Sequence, residues 1–345
     1  MVVDNNFYMN LALKEAWKYQ GLTYPNPAVG CTVVGINGEV LAVEAHKRAG
    51  GPHAEVQALK SAYFKLTNDE KILELTLSAD IHTFLLQNHN NCFKNISLYT
   101  TLEPCSHIGK TPSCATLIAS LGIKKLFVGS NDLNVEASGG NEVVRNADLY
   151  PKGTSSGAHV ETGILAKECE ALLKPFNKWS QKRFVFFKWA QRLNGTTDDG
   201  IISSKESRTI THAMRDVCDL LVIGGNTVRT DRPTLDARLV DGKAPDILIL
   251  SNSTEFDKSI ALFNVKNRKV IISDNLSSLD NYKNIMIEGS SNMFELTRNI
   301  TDYYLCFLAP TFGGNSSFNK IDDKFEILNI QKEEQDIIMW MKREI

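Results

Sequence analysis

The stretch "TLEPCSHIGKTPSC", residues 101–114, decides how the first half of the chain is read. It begins inside an apolar, β-branched run, "ISLYTTLEP" (96–104), which Pro104 turns into a loop. It ends where "CATLIASLG" (114–122) starts a helical pattern that Gly122 stops. Cys105 and Cys114 therefore bracket one loop between a strand and a helix. The start of a helix favours thiolates, which are ligands for a soft metal ion. Upstream, "HAEVQAL" (53–59) places His53 two residues before Glu55, again where a helical run begins. One imidazole and two thiolates are the donors that zinc takes, and a catalytic zinc keeps its fourth position for water. Zinc lowers the pKa of that water to about 7 from about 15.7. Glu55, which is not a ligand, would carry its proton. The alternative, a structural zinc module, would need four ligands and no adjacent acid.

Outward from this loop, strands and helices alternate. Met9, Leu13 and Trp17 recur at four-residue spacing and predict a helix over 5–20. "YPNPAVGCTVVG" (24–35) predicts a turn and then a strand, 53–64 a helix, and "KKLFVGS" (124–130) a strand. This is the pattern of a layered α/β domain, assigned to residues 1–150. Residues 65–95 interrupt it. Their mixed composition and Asn-rich end predict a surface excursion that zinc chemistry could do without. Gly- and Ser-rich stretches near 136–160 mark a domain end. A helix over 161–180 completes a connecting segment, 151–180.

The third segment, 181–345, restarts the alternation. "RFVFFKWAQ", "DLLVIGG", "DILILS", "RKVIIS", "NIMIEGS" and "DYYLCFLAP" are short apolar runs of strand type and predict a second α/β domain. No G-x-G-x-x-G follows a strand. "GGN" (224–226) and "EGSS" (288–291) do place glycines after strands, where backbone can approach a phosphate. Arg229, Arg232 and Arg238 offer forked donors for anions.

Bulk properties narrow the classes further. At 43% hydrophobic and 23% charged residues, burial is ample. A net charge of −2 without a Lys/Arg block argues against nucleic acid as partner. No apolar run approaches the roughly 18 residues of a membrane span, and the N-terminal pattern lacks a signal-peptide core. Seven cysteines, odd in number and irregularly spaced, point to reduced thiols and a cytoplasmic location rather than a disulfide framework.

"PNPAVGC", "HAEVQAL" and "TLEPCSHIGKTPSC" together resemble the deaminase half of the bifunctional riboflavin-biosynthesis deaminase/reductase family. The resemblance implies a cytidine-deaminase-like, three-layer first domain holding one Zn²⁺. It implies hydrolytic removal of the 2-amino group from a diaminopyrimidinone that carries a ribosylamino 5-phosphate. It makes His53, Cys105 and Cys114 ligands and Glu55 the proton carrier, with Asn26, His107 and Lys110 holding substrate. The interval from His53 to Cys105, 52 residues, is longer than the family usually has because of the 65–95 insertion.

"FKWAQRLNG", "LLVIGGNTVRTDRPTLDARL", "IEGSS" and "LAPTFGG" resemble the reductase half of the same family. This implies a dihydrofolate-reductase-like domain that uses NADPH, in preference to NADH, to reduce the ribosyl group to ribityl. Ala190, Thr227, Asp231, Ser251, Gly289, Ser290 and Ser291 would contact NADPH. Lys188, Ser207, Arg215, Leu235, Arg238 and Glu288 would face the substrate. The chain departs from the family where its usual Ala-Ser-Leu-Asp-Gly appears as Gln191-Arg192-Leu193-Asn194-Gly195, changed at 191, 192 and 194. It also has Thr209 for a tryptophan, and Ser290 for the second of two glycines. The expectation is a two-step enzyme with a small phosphorylated pyrimidine as its partner, no nucleic acid or membrane, and self-association left open. The rival is a zinc deaminase of another nucleobase whose C-terminal domain is only structural.

Overall fold

A computed structural model describes residues 3–107, 109, 111–133, 137–147, 158–318 and 321–344. Contacts divide the chain into two compact units, Met1–Asn177 and Lys178–Ile345. Among the described residues no helix is long and apolar enough to cross a membrane.

The first unit is built on a five-stranded sheet. Its strands are β1 (Gly30–Val34), β2 (Val40–Ala45), β3 (Ser97–Leu102), β4 (Lys125–Ser130) and β5 (His159–Thr162), ordered β2-β1-β3-β4-β5. β1 runs antiparallel to β2 and β3, whereas β3, β4 and β5 are parallel. Helix α1 (Asn5–Trp17) is capped by the Asp4 carboxylate, which accepts from the Phe7 N–H, and it buries Met9, Leu13 and Trp17. It lies so close to β1 that a Cβ on Gly30 would stand 1.9 Å from the Ala12 carbonyl oxygen. Any other residue there would push helix from sheet. Helices α2 (Ala54–Thr67), α3 (Ser78–Asn88), α4 (Cys114–Ser120) and α5 (Gly140–Arg145) follow, and α6 (Ala166–Gln181) runs past the unit's end. The stretch 151–180 thus contains, in its described part, strand β5 and most of α6, besides any connecting role.

Residues 65–95 are not the surface excursion expected. Ile72, Ile81, Leu85 and Phe93 are fully buried, in one core with Leu59 and Tyr63 of α2 and Leu117 and Ile118 of α4. Ile81 and Leu85 stand four apart on one face of α3, the i, i+4 pattern of a packed helix. The polar residues between them obscured it. The segment therefore supports the two helices whose first turns carry Glu55 and Cys114.

The second unit contains an eight-stranded sheet. Its strands are β6 (Phe184–Arg192), β7 (Leu220–Gly224), β8 (Asp246–Leu250), β9 (Val270–Ser273), β10 (Asn284–Glu288), β11 (Tyr303–Ala309), β12 (Phe325–Glu333) and β13 (Asp336–Arg343). The order is β12-β13-β11-β6-β10-β7-β8-β9, parallel from β11 to β9 and closed at one edge by the antiparallel β12–β13 hairpin. This is the dihydrofolate-reductase-like arrangement. The first six apolar runs form the parallel block. The hairpin was not anticipated: β12 mixes apolar with polar residues and is only half-buried, although the run Ile337–Met341 of β13 was a strand signal in the sequence. Helices α7 (Lys205–Val217), α8 (Gly225–Asp231) and α9 (Ser291–Thr297) complete the unit. In such sheets ligands sit outside the carboxyl ends of the parallel strands. There Lys188 of β6 and Glu288 of β10 are partners in register.

Candidate active sites

In the first unit three potential ligands converge. His53 precedes α2 as its N-cap residue, Cys105 opens the loop after β3, and Cys114 begins α4. The His53 Nδ1 lies 3.6 Å from Cys105 Sγ and 3.4 Å from Cys114 Sγ. The three donor atoms lie within 4.8 Å of one another. A tetrahedron with arms of about 2.1–2.3 Å has edges of roughly 3.5 Å, so the donor set fits zinc. Surrounding groups orient it. The Cys114 N–H points to Cys105 Sγ at 3.4 Å, and Thr111 Oγ1 lies 3.4 Å from His53 Nε2. Hydrogen bonding between Cys105 and Cys114 lowers the Cys105 thiol, and the same contact together with burial raises that of Cys114.

Glu55, in the first turn of α2, is buried with 4% exposure. Burial pushes its carboxyl up to about 7, against the opposing charge of His53. That range suits a group that both takes and gives a proton. Glu55, His53 and Cys105 line a cavity of about 420 Å³, together with Asn26 and His107. Lys110 lies outside the described residues.

The same cavity holds groups that sequence reasoning missed. His46 is 2% exposed, with Nδ1 3.0 Å from the Pro52 carbonyl and Nε2 3.2 Å from Asn26 Nδ2. Burial lowers it to about 4, so it faces the cavity as neutral imidazole. Its place seven residues before His53 was the signal available. Asp132 and Phe176 also line the wall. Glu103, buried between β3 and Cys105, accepts from the N–H groups of Asp132 (3.2 Å), Gly139 (3.1 Å) and Asn141 (2.9 Å). It thereby ties the metal loop to the loop that presents Asp132. Gly140 is required beside it, because a Cβ would lie 1.7 Å from the Pro104 carbonyl oxygen.

In the second unit a cavity of about 850 Å³ opens at the strand ends. Lys188, Arg215, Leu235 and Glu288 line it, as do Ala190, Thr227, Asp231, Gly289 and Ser290. Arg215 donates from Nε and Nη2 to the two oxygens of Glu288, at 2.8 and 3.0 Å. Burial alone would raise Glu288, but the charges of Arg215 and Lys188 hold it down to about 2. Lys188 is lowered by burial, with the Glu288 charge opposing.

Four of the expected contacts are placed otherwise. Ser207 is fully buried, its hydroxyl donating to Asp336 at 2.6 Å beneath α7. Arg238 is exposed and turned to Asp236, 3.0 Å away. Ser251 accepts from Arg229 at 3.2 Å, and Ser291 starts α9; neither lines the cavity. Arg229 and Arg232 instead frame a separate cavity of about 410 Å³, with Arg229 over the Phe256 ring at 4.2 Å. Arg208 and His212, which were not anticipated, do line the larger cavity. They belong to the same helical face as Arg215, which an i, i+4, i+7 reading of α7 would have found.

The departures at the end of β6 have local explanations. Gln191 accepts from Trp189 Nε1 at 2.7 Å, and Asn194 donates to the Gly313 carbonyl at 2.9 Å. Arg192, 8% exposed, donates to the carbonyls of Asp198 (2.5 Å) and Asp199 (2.7 Å), residues of the cavity wall.

Comparison with known proteins agrees with this division. Residues 3–130 match the cytidine and deoxycytidylate deaminase zinc-binding region, and residues 183–339 match the RibD C-terminal domain. The riboflavin biosynthesis protein RibD of Aquifex aeolicus is 34% identical over 279 residues, covering 78% of this chain and 68% of that protein. RibD of Mycobacterium tuberculosis is 26% identical over 326 residues, covering 89% and 85%. A crystal structure of a diaminohydroxyphosphoribosylaminopyrimidine deaminase/5-amino-6-(5-phosphoribosylamino)uracil reductase from Thermotoga maritima superposes with a TM-score of 0.63 at 26% identity, over 98% of both chains.

Proposed function

Since the chain belongs to the RibD family of bifunctional riboflavin-biosynthesis enzymes, we propose that each unit performs one of two consecutive steps. The first unit hydrolyses the 2-amino group from 2,5-diamino-6-(5-phosphoribosylamino)pyrimidin-4-one. The second reduces the ribosyl side chain of the product to ribityl. The observation that carries the deaminase assignment is the convergence of His53, Cys105 and Cys114 beside the buried carboxyl of Glu55, in one cavity.

His53, Cys105 and Cys114 would hold one zinc ion, which supplies an activated water when bound. Glu55 takes one proton at its carboxylate and passes it to the ring nitrogen, then takes a second and passes it to the departing amine. Asn26, held by neutral His46, offers the rest of its side-chain amide to orient the pyrimidine, and Phe176 offers an aromatic face. In the second unit, bound NADPH supplies a hydride. Lys188 and Glu288 face the sugar, with Arg215 fixing the carboxylate. Positioning dominates such a transfer. The cofactor's nicotinamide and phosphates would pass Ala190, Thr227, Asp231 and the Gly289–Ser290 turn.

Incubating purified protein with the diaminopyrimidinone phosphate tests both halves. Ammonia release without NADPH, then NADPH consumption on the deaminated product, is expected. Ammonia release without any NADPH consumption would favour a deaminase with a merely structural second unit.

A further inference from the structure

The second unit's cavity has a polarity that the assigned residues do not use. Arg208, Thr211, His212 and Arg215 lie on one face of α7 and all line it. At a rise of 1.5 Å per residue, Arg208 stands roughly 10 Å along the helix from Arg215. Arg215 is committed to Glu288 by two hydrogen bonds. Arg208 is the cavity's other arginine, and among the described residues it has no carboxylate within ion-pair distance. Its Nε makes one long contact, 3.4 Å, to the Ser204 carbonyl, which leaves the guanidinium terminus to the cavity. Around it are Ser203 and the N-terminal turn of the 13-residue α7, an end that favours an anion. The nearby Asp198 carboxylate is engaged by the N–H groups of Asn315 and Ser316.

We infer that Arg208 binds the terminal phosphate of the reductase substrate. This rests on the reductase reading above. Lys188 and Glu288 fix where the sugar carbon reacts, beside Arg215. A five-carbon chain with a terminal phosphate leads from that point along α7 toward Arg208. The opposite wall, formed by Thr227, Asp231, Gly289 and Ser290, is left for the cofactor. Ser207, the neighbour expected to face substrate, is turned to Asp336; that contact anchors the first turn of α7 and holds Arg208 on the cavity side.

The test compares the deaminated 5-phosphate substrate with its dephosphorylated counterpart at saturating NADPH. Charge-assisted hydrogen bonds of this kind imply a KM raised about 10- to 100-fold for the phosphorylated substrate in Arg208→Ala. KM for the dephosphorylated compound should not change, and Arg208→Lys should recover part of the loss. Equal losses on both compounds, or a loss appearing in KM for NADPH, would assign Arg208 to folding or to the cofactor and overturn the inference. So would an unchanged KM in Arg208→Ala beside an active wild type, which would leave the reductase reading standing. A wild type that shows no NADPH-dependent reduction of either compound overturns the reading and the inference together.

Discussion

Arg215 grips Glu288 with two near-parallel hydrogen bonds, Nε to Oε1 at 2.8 Å and Nη2 to Oε2 at 3.0 Å, between a helix and the end of a central strand. Both side chains are mostly buried, 12% and 14% exposed, so the pair is poorly screened by solvent. A carboxylate held this way has a fixed direction, which a group facing a reacting sugar needs.

The pair also makes stability depend on pH. Glu288 is depressed from 4.5 to about 2 in the folded protein, against the effect of burial, by the charges of Arg215 and Lys188. A depressed carboxylate contributes stability that is complete above its unfolded pKa and is lost as pH falls through the folded one. The window is therefore pH 4.5 down to about 2, and the contribution is on the order of 3 kcal/mol. Glu288→Gln should flatten the acid limb of the stability curve in that window and strongly impair reduction, with deamination retained. Urea denaturation across the window measures the first. An unchanged pH slope would show that the pair does not stabilise the fold.

For the first unit, Glu55→Gln should keep one zinc per chain and lose deamination by roughly 10²–10⁴-fold. The amide preserves size and cannot cycle a proton. Metal analysis alongside ammonia release checks both. Full activity, or a zinc content that falls with activity, would mean that Glu55 is not the proton carrier.

The segment 65–95 now leads to the opposite of its sequence-based expectation. Leu85→Ala would open a cavity in a core shared with α2 and α4. Such truncations cost about 2–5 kcal/mol. Replacing residues 70–93 by a Gly/Ser linker should unfold the first unit and abolish zinc binding. A linker variant that keeps its zinc and its deaminase activity would restore the picture of a dispensable insertion.

What the sequence made legible was what local chemistry dictates. His53, Glu55, Cys105 and Cys114 could be read because each stands at a strand or helix end with a donor type that has few other uses there. Strands β7, β8, β10 and β11 of the second unit could be read because both their faces are buried. His46 and Glu103 could not, since their roles depend on which loops the sheet order brings together. Ser207 was expected to face the substrate, but it is buried beneath α7 and away from the cavity lining. Only the buried Asp336, 129 residues downstream, decides which way its hydroxyl turns.

Arg192 offers a test of a residue where the chain leaves its family's pattern. The family's serine there could not reach the carbonyls of Asp198 and Asp199, which the guanidinium holds at 2.5 and 2.7 Å. The Asp198 carboxylate meanwhile accepts from the N–H groups of Asn315 (2.9 Å) and Ser316 (3.0 Å). Arg192 thus holds one side of a loop whose other side is held by the backbone after β11, and residues 197–203 of that loop form a wall of the reductase cavity. Hydrogen bonds from a charged donor are worth about 1.5–3 kcal/mol each, and removing them should show first as local opening. In Arg192→Ser, amide hydrogen exchange should speed up in residues 197–203, with KM for the reductase substrate rising and deamination unaffected. Arg192→Lys, with its single point charge, should lie between the two. If exchange in 197–203 matches wild type while KM still rises, Arg192 contacts a ligand directly and does not act by holding the wall.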